Sequence, residues 1–183
     1  MYPKQRLVDV INLNSDASCL SSSRWLNAIL GGKESELYNI LLCYVENRQK
    51  VNLGFVGSTL AEIIELNPDC IDLINRCPQN FEILCRPFVH SLSILWRDET
   101  FKRNYDLGKQ LTESTFSNVS NWYLPPEFAL RNSQIYLLAK EGVGTFIHPK
   151  RMKKKIKDVS IEGYGFISGI HKSELKYLGF TES

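Results

Sequence analysis

Residues 7–13 alternate apolar and polar positions and are rich in Val and Ile, which predicts a strand closing at Asn14-Ser15-Asp16. The spacing then turns helical from residue ~21 to Leu30, where Gly31-Gly32 stops it. A second helix is predicted over residues 35–47, with Leu37, Ile40, Leu41, Tyr44 and Val45 on one face. Residues 51–56 form a short apolar run, read as a buried strand. Ser58 is read as the cap of the next helix, which places Ile63, Ile64 and Leu66 on one side. Pro68 opens a further helix ending near Cys77-Pro78, and residues 81–85 form a third apolar strand. A long amphipathic helix follows from Asp98 to Thr115, then a strand over 121–124, a helix over 132–140 closed by Gly142, and a strand over 143–147. Later, Val159 to Ile161 and Tyr164 to Ile170 offer one or two more strands.

Strands that alternate with helices argue for parallel pairing through right-handed crossovers, in an α/β barrel or an open doubly wound sheet. A complete eight-stranded barrel takes about 250 residues, and the chain has 183. The expected fold is therefore an incomplete or seven-stranded (β/α) barrel with mainly parallel strands, in a single domain over residues 1–183. No internal repeat or low-complexity linker divides it.

Composition narrows the function classes. With 43% hydrophobic and 23% charged residues the chain can bury a sizeable core, and disorder is not expected. A net charge of +2 makes no whole-molecule field, so nucleic-acid binding would rest on the basic stretch at residues 150–157 alone. That stretch lacks interleaved aromatics and reads as a solvated face. Five cysteines, Cys19, Cys43, Cys70, Cys77 and Cys85, form no CxxC pair, so neither a disulfide framework nor a zinc site is expected. The start of the chain lacks a signal-like apolar core and no run is long enough to span a membrane, which points to the cytoplasm.

Candidate chemistry concentrates where strands end, because the carboxyl ends of parallel strands form the active face of a barrel. The segment Trp122-Tyr123-Leu124-Pro125-Pro126-Glu127 holds a carboxylate behind two prolines, which extend the backbone before it. Either Glu127 is reactive, or Pro126 is the first residue of a helix and Glu127 complements its dipole. Arg86 and His90 follow the third strand, Asn14 and Asp16 the first, and His148 the fifth. Arg86 is suited to a carboxylate or phosphate, or to pairing with Glu82 or Glu127. Trp122 could stack on a sugar face, although most aromatics beside strands are core.

Taken in order, Asn12-Leu13-Asn14, Val51-Asn52-Leu53-Gly54-Phe55-Val56-Gly57, Phe81-Glu82-Ile83-Leu84 with Phe88-Val89-His90, Leu107-Gly108-Lys109-Gln110-Leu111, the Trp122 to Glu127 segment, and Leu137-Leu138-Ala139-Lys140-Glu141-Gly142-Val143 resemble the catalytic barrel of glycoside hydrolase family 57 and the related polysaccharide deacetylases. The resemblance covers residues 7–147, most specifically 81–143. It implies that Glu127 is the nucleophile of a retaining glycosidic displacement, with a second carboxylate acting as acid and then base about 5–5.5 Å away. The family's acid/base aspartate lies further along its barrel, which leaves Asp158 and Glu162 as late candidates here. His90 would join Glu127 as a catalytic residue, and Asn14, Asp16, Arg86, Trp122 and His148 would contact substrate. Asn14 stands where the family has a histidine motif, and it can alternatively close an Asx turn.

The deacetylase branch uses an aspartate and a His-x-x-x-His pair on a metal. Asp16 and His90 match two of these, but Arg86 takes the first histidine's place and cannot ligate a metal. No metal and no cofactor are therefore expected. The leading expectation is a cytoplasmic carbohydrate-active enzyme with a sugar or sugar-containing ligand, without membrane or nucleic-acid partners and with homo-oligomerisation left open. The alternatives are a non-catalytic glycan- or protein-binding descendant of the barrel, or a metal-dependent deacetylase.

Overall fold

The computed structural model describes residues 9–13 and 29–145. Five strands form one sheet in the order of the chain: β1 (Asp9–Leu13), β2 (Val51–Phe55), β3 (Phe81–Cys85), β4 (Val119–Tyr123) and β5 (Gly144–Thr145). Every neighbouring pair is parallel, with Ile11 opposite Leu53 and Leu53 opposite Ile83. The helices are α1 (Glu36–Glu46), α2 (Gly57–Leu66), α3 (Pro68–Arg76), α4 (Asp98–Thr115) and α5 (Asn132–Lys140).

The strand order decides between the two expected architectures. A doubly wound sheet reverses its order at a switch point, whereas right-handed crossovers that never reverse keep all helices on one face and curl the sheet toward a barrel. The order here never reverses, so the sheet is a section of a (β/α) barrel. Val51, Leu53, Phe55, Phe81 and Ile83 accordingly share one core with Leu41, Leu60, Ile63, Leu73 and Ile74 from the helices. A second cluster joins Cys85 and Tyr123 to Phe101, Tyr105 and Leu138. Side chains alternate along a strand, so Asn52, Gly54, Leu84 and Arg86 belong to the opposite, inward face. Both faces of β2 are buried, as expected for a parallel sheet.

Local chemistry explains most helix boundaries. The Ser35 side chain accepts from Tyr38 N at 3.1 Å and starts α1. Asn67 starts α3, where its Oδ1 accepts from Cys70 N at 3.3 Å. Its Nδ2 reaches Ile29 O at 2.6 Å, Gly32 O at 3.1 Å and Ser35 Oγ at 2.8 Å. One fully buried amide thus ties together the starts of two helices. Asn67→Ala is expected to destabilise the fold by about 2–3 kcal/mol, because it removes a cap and strands a buried carbonyl. A urea titration measures it, and a loss below about 0.5 kcal/mol would show that water takes over these bonds.

Three boundaries differ from the sequence reading. Helix α2 begins at Gly57 rather than Ser58, and its N-cap Val56 has no side-chain bond. The Gly57 and Ser58 amides instead donate to Pro87 O at 3.0 Å and Phe88 O at 2.9 Å, so carbonyls of the loop after β3 do the work expected of a hydroxyl. Strand β4 starts at Val119, before the predicted Asn121, and its register shifts: Ile83 and Cys85 oppose Val119 and Tyr123. Pro126 opens only a single 3₁₀ turn, Pro126–Phe128, and α5 starts at Asn132. The predicted helix over 21–30, the stretch from 146 onward and the basic stretch fall outside the described residues, apart from Ile29 and Leu30.

Candidate active site at the carboxyl edge of the sheet

Because all five strands run the same way, the residues following β2, β3 and β4 meet on one edge. Three contacts fix the segment after β3 there. Leu124 N donates to Cys85 O at 2.9 Å and joins it to the end of β4, while the Gly57 amide joins it to β2. From α4, Asn104 O accepts from Phe88 N at 2.9 Å, and the Asn104 side chain both accepts from Val89 N at 2.8 Å and donates to Val89 O at 3.1 Å. A peptide-like clamp thus holds the residues just ahead of His90, which is half-buried. Glycines permit the close approach: a Cβ at Gly57 would lie 2.6 Å from Phe88 Cδ2, and one at Gly108 of α4 would lie 2.1 Å from Arg86 O.

Arg86 enters the inward face directly after β3. Its stem crosses β2 at Gly54, where a Cβ would sit 3.0 Å from Arg86 Cδ and 3.0 Å from Leu124 Cδ2. The sequence reading places this guanidinium at an open rim, but it is only 1% exposed. Its Nε and Nη1 have no hydrogen-bond partner, and among the described residues neither Glu82 nor Glu127 forms an ion pair with it. Burial pushes its pKa down to about 10, against the opposing influence of Tyr123 and Glu127. It therefore remains a cation at neutral pH.

Tyr123 ends β4 fully buried, with Phe101 and Tyr105 edge-on to its ring at 6.1 Å and 5.2 Å. Its hydroxyl lies beside Ser93 without reaching hydrogen-bond geometry, and both oxygens are buried without a partner. Burial holds this hydroxyl well above the usual tyrosine range, so it stays protonated. Ser93 belongs to the 3₁₀ turn Ser93–Leu95, and its carbonyl accepts from Gln134 Nε2 at 2.7 Å. Trp122 is half-buried over Gly144, whose Cβ would lie 2.5 Å from the indole Cε3.

Glu127 is exposed and holds φ 51°, ψ 22°, the left-handed region that side-chain-bearing residues rarely occupy. The surrounding loop enforces this. Pro125 is extended before it, and Ala129 N closes the turn on Pro126 O at 3.1 Å. Downstream, Arg131 bonds Trp96 O and pairs with Asp98 at 2.7 Å, anchoring the loop to the start of α4. Glu127→Gly is expected to raise stability by about 1 kcal/mol, since glycine occupies this region without steric cost. Chemical denaturation measures it, and a lower midpoint would mean that the Glu127 side chain makes a stabilising contact.

Of the residues singled out by sequence, the structure gathers Arg86, His90, Trp122 and Glu127 on one edge of the sheet. Asn14, Asp16, His148, Asp158 and Glu162 lie outside the described residues. Among the described residues, no group of three or more His, Cys, Asp or Glu side chains is placed to share a metal, and no helix is long and apolar enough to cross a membrane. The sequence reading passed over Ser93 and Asn104, which carry no local signal, and it took in Gly108 only as part of the family-like segment 107–111, although a glycine inside a strong helical pattern is a signal of its own.

Solved structures share this architecture. A 4-alpha-glucanotransferase from Thermococcus litoralis superposes with TM-score 0.62 at 17% identity, over 75% of this chain and 21% of that one. A CE4 family pseudoenzyme from Bacillus anthracis gives TM-score 0.55 at 14% identity, over 76% and 42%. A family 4 carbohydrate esterase from Streptomyces lividans, in complex with acetate, gives 0.52 at 11% identity, over 75% and 59%. The chain thus spans less than two thirds of the length of each, and at these identities the likeness is one of fold. No curated protein sequence matches it. The profile of Glycosyl hydrolase family 57 matches residues 22–172, most of the chain, and the protein belongs to that family.

Proposed function

We propose that this chain acts on a glycosidic bond by a retaining mechanism, with Glu127 as the nucleophile. The observation that carries the reading is the left-handed backbone at Glu127, an exposed carboxylate held in a strained turn after a barrel strand. Strain of this kind collects at functional sites, where the surrounding structure maintains it. Glu127 would attack the anomeric carbon and form a glycosyl ester, while the leaving oxygen takes a proton from a second acid. Water or an acceptor hydroxyl, deprotonated by that same group, would then displace Glu127 and restore the anomeric configuration. Asp158 and Glu162 are the candidates for the second acid.

His90 would assist at the reacting sugar, and Trp122, Asn14, Asp16 and His148 would position it. The cytoplasmic setting proposed for this chemistry is supported by the thiols of Cys43, Cys70, Cys77 and Cys85, all free. Burial pushes Cys70 and Cys85 up to about 11, which suits them to a role as small core residues.

The test is to incubate the full chain with a panel of oligosaccharides and follow the anomeric configuration of the first-formed product by NMR. Retention supports the assignment. Inversion overturns it, and binding without turnover establishes a non-catalytic glycan-binding chain instead.

A further inference from the structure

His90 and Glu127 stand on separate loops, one after β3 and one after β4. Strand pairing ends at Cys85 and Tyr123, ahead of both groups, so the sheet alone does not set their spacing. One side chain joins the two loops. Gln134, at the third position of α5, is fully buried. Its Oε1 accepts from Arg131 N at 3.0 Å, just past the Glu127 turn, and its Nε2 donates to Ser93 O at 2.7 Å, just past His90. The first bond is the local cap expected of a glutamine in this position. The second spans 41 positions of the chain. Ser93 O does not depend on it, because Trp96 N already donates to that carbonyl at 3.0 Å and closes the turn. What the Gln134 bond adds is a link between the loops, and Arg131 doubles that link by bonding Trp96 O.

Each loop is also fixed beside its reactive group. Asn104 holds Val89, the neighbour of His90, through bonds of 2.8 Å and 3.1 Å, and Ala129 N closes the Glu127 turn on Pro126 O at 3.1 Å. A shift at the link is therefore passed on to both groups.

We propose that Gln134 is a positioning residue that sets the placement of His90 relative to Glu127 at the reacting sugar. The inference rests on the glycosidic reading above and deepens it. Misplacement of a reacting group by about 1 Å can cost on the order of 100-fold in rate. Only a group that accepts and donates at once can make both bonds, which the amide does and an ionised carboxylate or an apolar side chain does not.

The test is a double-mutant cycle on kcat, run on the full chain with an oligosaccharide that the parent cleaves, well below the thermal midpoint of every variant. His90→Gln should lower kcat on the order of 100-fold, as expected on losing an assisting acid or base. Gln134→Met, which removes both bonds at similar volume, should lower kcat about tenfold while KM stays within about twofold. The double variant should be no slower than His90→Gln alone, because the spacing matters only while both groups are present. Gln134→Glu keeps the acceptor for Arg131 N and replaces Gln134→Met in the cycle if the latter does not fold. Its rate relative to the parent should rise as the pH falls, since a protonated carboxyl regains a donor for Ser93 O.

The proposal falls if the two losses multiply, the mark of a residue that acts through stability or through other groups. It also falls if either single substitution leaves kcat unchanged, if Gln134→Met raises KM alone, or if neither Gln134 variant folds, which would assign the residue to stability. If the parent cleaves no oligosaccharide, the glycosidic reading fails and takes this inference with it; if the parent cleaves with retention and the losses multiply, only the present inference fails.

Discussion

Glu127→Gln is expected to lower turnover of a cleavable oligosaccharide by a factor on the order of 10⁴ to 10⁶, while ligand affinity changes only a few-fold. The amide keeps the size and much of the hydrogen bonding of the carboxylate but cannot form the glycosyl ester. Because Glu127 is exposed, the substitution leaves no buried group unpaired, and the fold should tolerate it. Loss of rate with intact binding would therefore report chemistry rather than unfolding. A fall in affinity that matched the fall in rate would instead mark Glu127 as a binding group. A confirmed hydrolytic activity left untouched by the substitution would remove Glu127 from the mechanism. Adding Glu127→Gly separates chemistry from stability again, since it should be inactive yet more stable than the parent.

Gly108→Ala should cost about 3 kcal/mol of stability, although alanine is the better helix former by about 1 kcal/mol. The added methyl would stand 2.1 Å from Arg86 O, 2.7 Å from Phe88 N and 2.7 Å from Pro87 C, all backbone atoms that no rotamer change can move. Either α4 lifts off the sheet or the 86–88 segment shifts. Both disturb the Asn104 clamp, which lies one helical turn before Gly108. Denaturant unfolding measures the loss. A gain in stability would show that α4 slides freely over this loop.

Much of the architecture is legible in the sequence because each element is locally consistent. Apolar spacing delimits α4 and α5, Gly142 follows α5, and Pro68 sits at the first position of α3. The misreadings arise where distant residues decide. Ser58 looks like a cap, but carbonyls from the loop after β3 arrive first. Pro126 looks like a helix start, but the closing turn forces Glu127 into a left-handed backbone that cannot propagate. The site divides in the same way. Glu127 and Arg86 stand out by type and position, yet nothing near Arg86 in sequence indicates that Leu124 and Gly54 will enclose it. Ser93 acquires interest only because folding brings Gln134 onto its carbonyl.

The unreversed strand order also bears on how the sheet is assembled. Each strand pairs with the one that follows it in the chain, so β1 and β2 can settle their register before β4 has been synthesised. Every later addition then finds a finished template edge, and no strand has to insert between two already paired. Growth of this kind adds each strand at the same side of the sheet, which limits the opportunities for mispairing during synthesis. The residues after β3 that carry Arg86 receive their lid from β4 and their clamp from α4 only late in that sequence. The buried charge is therefore enclosed after the scaffold beneath it is already in place.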